Sequence, residues 1–248
     1  MAKYALFVEG QTELVFIREL LLKYFDYDVK IDCFKLHKEQ LEKVPYSNQQ
    51  EILPNNAVNY FLLVNVENDE KVLGAIKDRY ENLLKSSYDK ILGLRDIYCS
   101  ELREIKNEYC DGTINSFVES KLEKFNLYIN KNPQVILCFA KMEIESWLLG
   151  FYENFLRLLG EPNQNLLDEI NIIFEEQNLQ DFNFEREFHP ANLLARILAL
   201  LEIDYDKKYD EVAKLMATVH KDDFRRLYEL NTLSSYNRFC SHLNLFQV

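Results

Sequence analysis

Short apolar runs recur along this chain at helix-sized intervals, and that spacing limits the folds open to it more than any other feature. KYALFV (3–8), NYFLLVNV (59–66), KILGL (90–94) and QVILCFA (134–140) are each close to continuously apolar. Strands buried on both faces have that character, whereas strands with one wet face alternate. DVKIDCFKL (28–36) alternates more and reads as a further strand. Helical patterns fill the intervals. In QTELVFIRELLLKYF (11–25), Leu14, Ile17, Leu21 and Tyr24 share a face, with Phe16 and Leu20 beside them. Thr12 is the expected N-cap, and Glu13 suits the positive end of the helix dipole.

Further helices are expected over 70–87, from Ser100 to about Glu108, and near 114–126. Residues 38–58, with Pro45 and Pro54 among Asn and Gln, read as a loop. Strands alternating with helices predict β-α-β units, hence an α/β fold with a mainly parallel, Rossmann-like sheet covered on both faces. From residue 151 the character becomes helical, NLLARILALLEI (192–203) most clearly. The expected organisation is an α/β domain over 1–150 and a mainly helical region over 151–248 packed on it. Only six glycines and five prolines in 248 residues agree with long regular elements and short loops.

The net charge of −12 is spread over both parts, and neither has the basic excess of a protein that grips long stretches of phosphate backbone. Nucleic-acid contact would have to be local, bridged by a metal or supplied by a partner. Cys33, Cys99, Cys110, Cys138 and Cys240 are scattered without zinc-ligand spacing. The opening strand lacks the pattern of a signal peptide, and no apolar stretch approaches the ~20 residues of a membrane span. A cytoplasmic protein is expected. No GxxxxGK[ST] or GxGxxG phosphate loop is present.

In a parallel sheet the strand C-termini share one edge, where sites form. Here that edge collects acids. Glu9 ends the first strand, Asn68 and Asp69 the third and Asp96 the fourth, while Glu143 and Glu145 follow the fifth. Hard divalent cations such as Mg²⁺ or Mn²⁺ take such oxygen ligands. Each acid also has a plainer role: Glu9 as a cap of the first helix, Asp96 as a cap or ion-pair partner of Arg95, Asp69 as an N-cap. Glu143 and Glu145 point about 200° apart if both are helical and share a face if extended. They serve one site only if MEIE (142–145) is still extended or lies at a strand–helix junction, and Glu145, beside Trp147, is the better candidate.

FVEGQTE (7–13) resembles the first motif of the Toprim fold, in which a strand ends in a catalytic glutamate followed by glycine. Together with GLRDIY (93–98) and MEIESWLLG (142–150), it is similar to Toprim-like proteins of the OLD-nuclease type found among bacterial phage-defence and mobile-element genes. The resemblance covers roughly residues 3–150. It implies a Mg²⁺- or Mn²⁺-dependent nuclease with Glu9 as general acid or base and Asp96 as the first acid of a metal-binding DxD pair. Tyr98 stands in place of the second acid. Glu143 and Glu145, or Glu101, would then take its metal role.

The mechanism so implied is phosphodiester hydrolysis, with Asp96, Glu143 and Glu145 on the metal and Glu9 on the metal or the moving proton. Two alternatives accompany it: a Toprim-like module without catalysis that works with a partner ATPase, and a metal-dependent phosphohydrolase of small molecules. His189, in FHPAN, is a candidate supporting donor or a structural residue at a helix entry. Lys207, Lys208, Lys221, Arg225, Arg226 and Arg238 could position phosphate, but their interleaving with aspartates favours a solvated helix surface.

Overall fold

The computed structural model describes residues 2–44, 57–99, 102, 109–159, 164–173 and 182–247. Six strands form one sheet: β1 (Ala2–Val8), β2 (Lys30–His37), β3 (Gln40–Lys43), β4 (Asn59–Asn65), β5 (Lys90–Asp96) and β6 (Val135–Ala140), in the order β3-β2-β4-β1-β5-β6. Every pairing is parallel except β2 with β3. The mostly parallel α/β sheet expected from the apolar runs is therefore present.

Among the described residues the helices linking these strands include α1 (Gln11–Tyr24), α2 (Asp69–Lys85) and α3 (Asp111–Tyr128). α1 lies on one face of the sheet and packs with Leu6, Val8, Leu92 and Leu94. α2 and α3 cover the other face, against Ala5, Phe7, Ile91 and Leu137. Gly93 in β5 allows α2 to come this close. A Cβ there would meet Ile76 Cδ1 at 2.7 Å.

Among the described residues after β6 the α-helices are α4 (Glu145–Leu149), α5 (Tyr152–Leu156), α6 (Gln164–Ile173), α7 (Pro190–Ala199), α8 (Tyr209–Ala217), α9 (Lys221–Leu230) and α10 (Ser234–His242). Their apolar residues join α1 in a single buried cluster, with Phe16, Trp147, Phe151, Phe224, Tyr236 and Phe239 in mutual ring contact near its centre. α1 is consequently buried nearly all round, with Thr12–Arg18 and Leu20–Leu22 all buried. A helix enclosed between a sheet and other helices has no wet face to keep polar. Lys23 ties α8 to it by donating to the carbonyls of Met216 and Val219.

Several expectations are corrected. Residues 40–43, read as loop, pair antiparallel with β2 through a two-residue turn in which Lys38 and Glu39 both have positive φ (44° and 69°). α1 begins earlier than expected, so Thr12 lies inside it and Gly10 is the N-cap. β4 stops at Asn65, leaving Asn68 in the turn and Asp69 as the first residue of α2. The helix placed over 100–108, with Glu101, falls outside the described residues except for Leu102, which is helical.

β1 and β5 are neighbours, yet β1 leaves through α1 on one face and β5 is followed by α3 on the other. A crevice opens where adjacent parallel strands diverge in this way, outside their C-terminal ends. Glu9 follows β1 and Asp96 ends β5 at this point.

Candidate metal centre

Glu9 directly follows β1, in register with the end of β5, and its Oε2 accepts the Asp96 N–H at 3.2 Å. It is not an ordinary cap, since α1 has Gly10 as its N-cap and no side-chain cap bond. Asp96 is the last residue of β5. Its Oδ1 accepts the Ile144 N–H at 3.0 Å, which fastens the loop after β6 to the end of β5. Met142 in that loop is left-handed (φ 65°), a conformation few bulky residues adopt. Glu143 is thus still outside the helix while Glu145 opens α4. This is the junction that lets two acids, two positions apart, share a target.

Carboxylate oxygens of Asp96, Glu143 and Glu145 come within 4.8 Å of one another, and all three side chains are buried. Such a cluster could hold a metal ion. The donors are hard oxygens, and one of them has nothing else to do: Glu145 Oε2 is inaccessible and makes no hydrogen bond. An unpartnered buried carboxylate oxygen is costly unless a cation or proton meets it.

Three further side chains complete the surroundings, and none was singled out for this role in the sequence. Glu13, in the first turn of α1, is 4% exposed. Gly10 leaves room for it, because a Cβ there would lie 3.0 Å from Glu13 Oε2. Lys207 Nζ sits 3.0 Å from Glu145 Oε1 and 3.4 Å from Glu143 Oε1. Tyr205 donates its hydroxyl to Glu145 Oε1 at 2.9 Å. Lys207 is surface-exposed along its side chain, as expected (44%), but its ammonium is turned to the acids. The other cations largely follow the solvated-surface expectation: Lys208 pairs with Asp206, Lys221 with Asp26 and Arg226 with Glu153.

Crowding leaves its mark on protonation. Burial, then the charges of Glu13, Glu9, Glu145 and Glu143, hold the Asp96 carboxyl well above the usual carboxylate range. Burial, then Glu9 and Glu145, push Glu13 up to about 8. Burial also raises Glu145, with Lys207 pulling the other way. On Lys207 itself burial disfavours the ammonium, but Glu145 and Glu143 more than offset it and keep it charged.

Glu143 has a second partner in the Ala191 N–H at the start of α7, 3.2 Å from its Oε2. His189 is the N-cap residue of that helix. Its ring packs edge-on against Tyr98 (5.0 Å between centroids) and Phe188 (4.8 Å). Tyr98, in place of a second metal-binding aspartate, turns its ring to the same pair, 5.1 Å from Phe188. The strand ends thus bring together Asp96, Glu143 and Glu145, with Glu9 bonded to the Asp96 N–H outside that group of three and His189 two residues before Ala191, whose N–H reaches Glu143.

Compared with protein-family models, with curated proteins and with solved structures, the chain shows no match. Among the described residues no helix is long and apolar enough to cross a membrane.

Proposed function

We propose that this chain is a Toprim-like, metal-dependent nuclease that hydrolyses phosphodiester bonds. The observation that supports it most is the convergence of Asp96, Glu143 and Glu145 at the switch point of a parallel sheet, beside Glu9. In this proposal Asp96, Glu143 and Glu145 hold Mg²⁺ or Mn²⁺, and the half-buried Glu9 faces the substrate side. A divalent ion there would supply charge stabilisation to the scissile phosphate. In this proposal Glu9 takes the proton of the attacking water as its oxygen bonds to phosphorus and the ester P–O bond breaks, the leaving alkoxide taking a proton from solvent. Lys207 is a cation already at the cluster and can follow the phosphate's negative charge. A bacterial phage-defence setting, with or without a partner ATPase, goes with this proposal.

The test is cleavage of plasmid and single-stranded DNA and RNA with Mn²⁺, beside Glu9→Gln and an EDTA control. Cleavage that both controls abolish supports the nuclease. Cleavage that survives Glu9→Gln rejects the assignment of Glu9.

Lys207 favours a second proposal, a Toprim-like binding module without catalysis. Its ammonium neutralises two carboxylates as a metal ion would. In that case Mn²⁺ fails to stabilise the wild-type chain in a thermal melt.

A further inference from the structure

The two oxygens of Glu145 have unequal surroundings. Oε1 takes the Tyr205 hydroxyl at 2.9 Å and the Lys207 ammonium at 3.0 Å. Oε2 is inaccessible and meets no donor. A carboxylate free to turn would give each oxygen a partner, because an unmet buried oxygen is costly. With both donors on one oxygen, the rotation of the group is fixed. Oε2 is then the atom left for an ion held between Glu145, Asp96 and Glu143.

The two donors are held differently. Lys207 has a long, half-exposed stem, and its ammonium is shared with Glu143 Oε1 at 3.4 Å. A divalent ion arriving at the same carboxylates repels it. Tyr205 is neutral, and its ring packs on the large apolar cluster together with Ile203 and Tyr209. The backbone beside it is fastened as well. The Asp206 and Lys208 N–H groups donate to Glu211 Oε2 at 2.7 and 3.2 Å, which ties this segment to the first turn of α8. From α1, the Thr12 hydroxyl approaches the same tyrosine oxygen. Tyr205 is thus a donor fixed by the framework, and an ion has no charge to push against.

We infer that Tyr205 is a positioning residue of the acid cluster, and that its hold on Glu145 Oε1 makes the centre prefer Mg²⁺ to Ca²⁺. Mg²⁺ demands near-octahedral ligands at about 2.0–2.1 Å, whereas Ca²⁺ accepts looser arrangements at about 2.3–2.6 Å. A ligand fixed in one rotation serves the first ion, and a ligand that swings serves the second equally well. Asp96 and Glu143 are steadied by backbone groups, the Ile144 and Ala191 N–H. Glu145 depends on a side-chain hydroxyl instead, so its orientation is the one a single substitution can loosen. The inference rests on the metal-binding part of the nuclease proposal and not on cleavage.

Tyr205→Phe keeps the ring and removes only the hydroxyl. Ion-stripped wild type and variant are titrated with Mn²⁺, the free ion being counted by electron paramagnetic resonance, and Mg²⁺ and Ca²⁺ are then added as competitors. The variant should bind Mg²⁺ about tenfold or more weakly, as loss of a group that orients a ligand does, and Ca²⁺ with little change. Lys207→Met alters a charge that both ions feel alike, so it should move both affinities together and leave their ratio in place. A lower metal-free melt of Tyr205→Phe with all ion affinities unchanged overturns the inference, because the tyrosine would then serve the fold alone. Equal weakening for Mg²⁺ and Ca²⁺ overturns it too, as does a Lys207→Met variant that loses the same selectivity. If the wild type binds no Mn²⁺ up to millimolar concentration, this inference and the metal reading fall together. Wild-type binding that Tyr205→Phe leaves intact sinks the inference and spares that reading.

Discussion

Glu185 and Glu145 are both completely buried, but they are treated in opposite ways. Glu185 has every oxygen occupied: Ser234 Oγ donates to one at 2.7 Å, and the Ser235 N–H and Oγ both reach the other at 2.6 Å. Trp147 Nε1 then donates to the Ser235 hydroxyl at 2.8 Å, which locks the start of α10 to the aromatic core. Glu145 has Tyr205 and Lys207 on one oxygen and nothing on the other, with Asp96 and Glu143 pressed close. A carboxylate that holds a fold together is saturated by the fold. One left unsaturated among its own kind is stable only if something arrives from outside.

The contrast is sharpest in the substitutions. Glu185→Ala strands two hydroxyls and a backbone N–H, each worth about 1–3 kcal/mol when left unmet. Urea unfolding should show a loss of about 3 kcal/mol or more. Glu145→Gln in metal-free protein should cost far less, about 1 kcal/mol. Equal losses would break the comparison.

Metal binding comes next in size. If the acids hold an ion, saturating Mn²⁺ at about 100 times its Kd adds about 2.7 kcal/mol of stability. Thermal melts should rise by roughly 5–10 °C. Glu185 touches none of the three acids, so Glu185→Gln should melt lower yet keep that rise.

The third test is pH. Glu13, Asp96 and Glu145 are all raised, so above the usual carboxylate range the folded chain binds more protons than the unfolded one. The stability these three groups contribute to the metal-free protein is therefore full at low pH and lost as pH climbs, for Glu13 from about 4.5 through about 8. Each excess proton contributes a slope of about 1.4 kcal/mol per pH unit. Melting temperature against pH should fall across this window, and Mn²⁺ should flatten the decline. A flat metal-free profile would mean the acids are not coupled.

The smallest effect is Asp96→Asn, which removes one crowded charge while its Oδ1 can still accept the Ile144 N–H. At pH 8 the metal-free variant should gain about 1 kcal/mol, with the response to Mn²⁺ gone. A destabilised variant would show that Asp96 serves the fold first.

Much of the sheet was legible because strands buried on both faces need continuous apolar sequence, as β1, β4, β5 and β6 have. β3 was not. All four of its residues are exposed, and its turn places Lys38 and Glu39 in the left-handed region without the glycine or asparagine that normally announces it. At the site, the acids at strand ends could be read from order alone. Whether Glu143 and Glu145 converge depends on the left-handed Met142, which carries no such signal either. Glu13 hid behind an ordinary dipole role. Lys207 and Tyr205 arrive from about 60 positions beyond Glu145, a distance over which sequence pattern says nothing.

The enclosure of α1 has a consequence for how the chain comes into being. Its first helix is sealed by α8, α9 and α10, so roughly two hundred residues must be synthesised before Leu14, Phe16 and Leu20 find all their neighbours. Contacts so distant in sequence form slowly. Until they do, the emerging chain offers a sticky apolar rod to whatever is nearby, and the acid cluster at its tip lacks Lys207. Assembly of the site is thereby deferred to the end of folding, when the last helices close over the first.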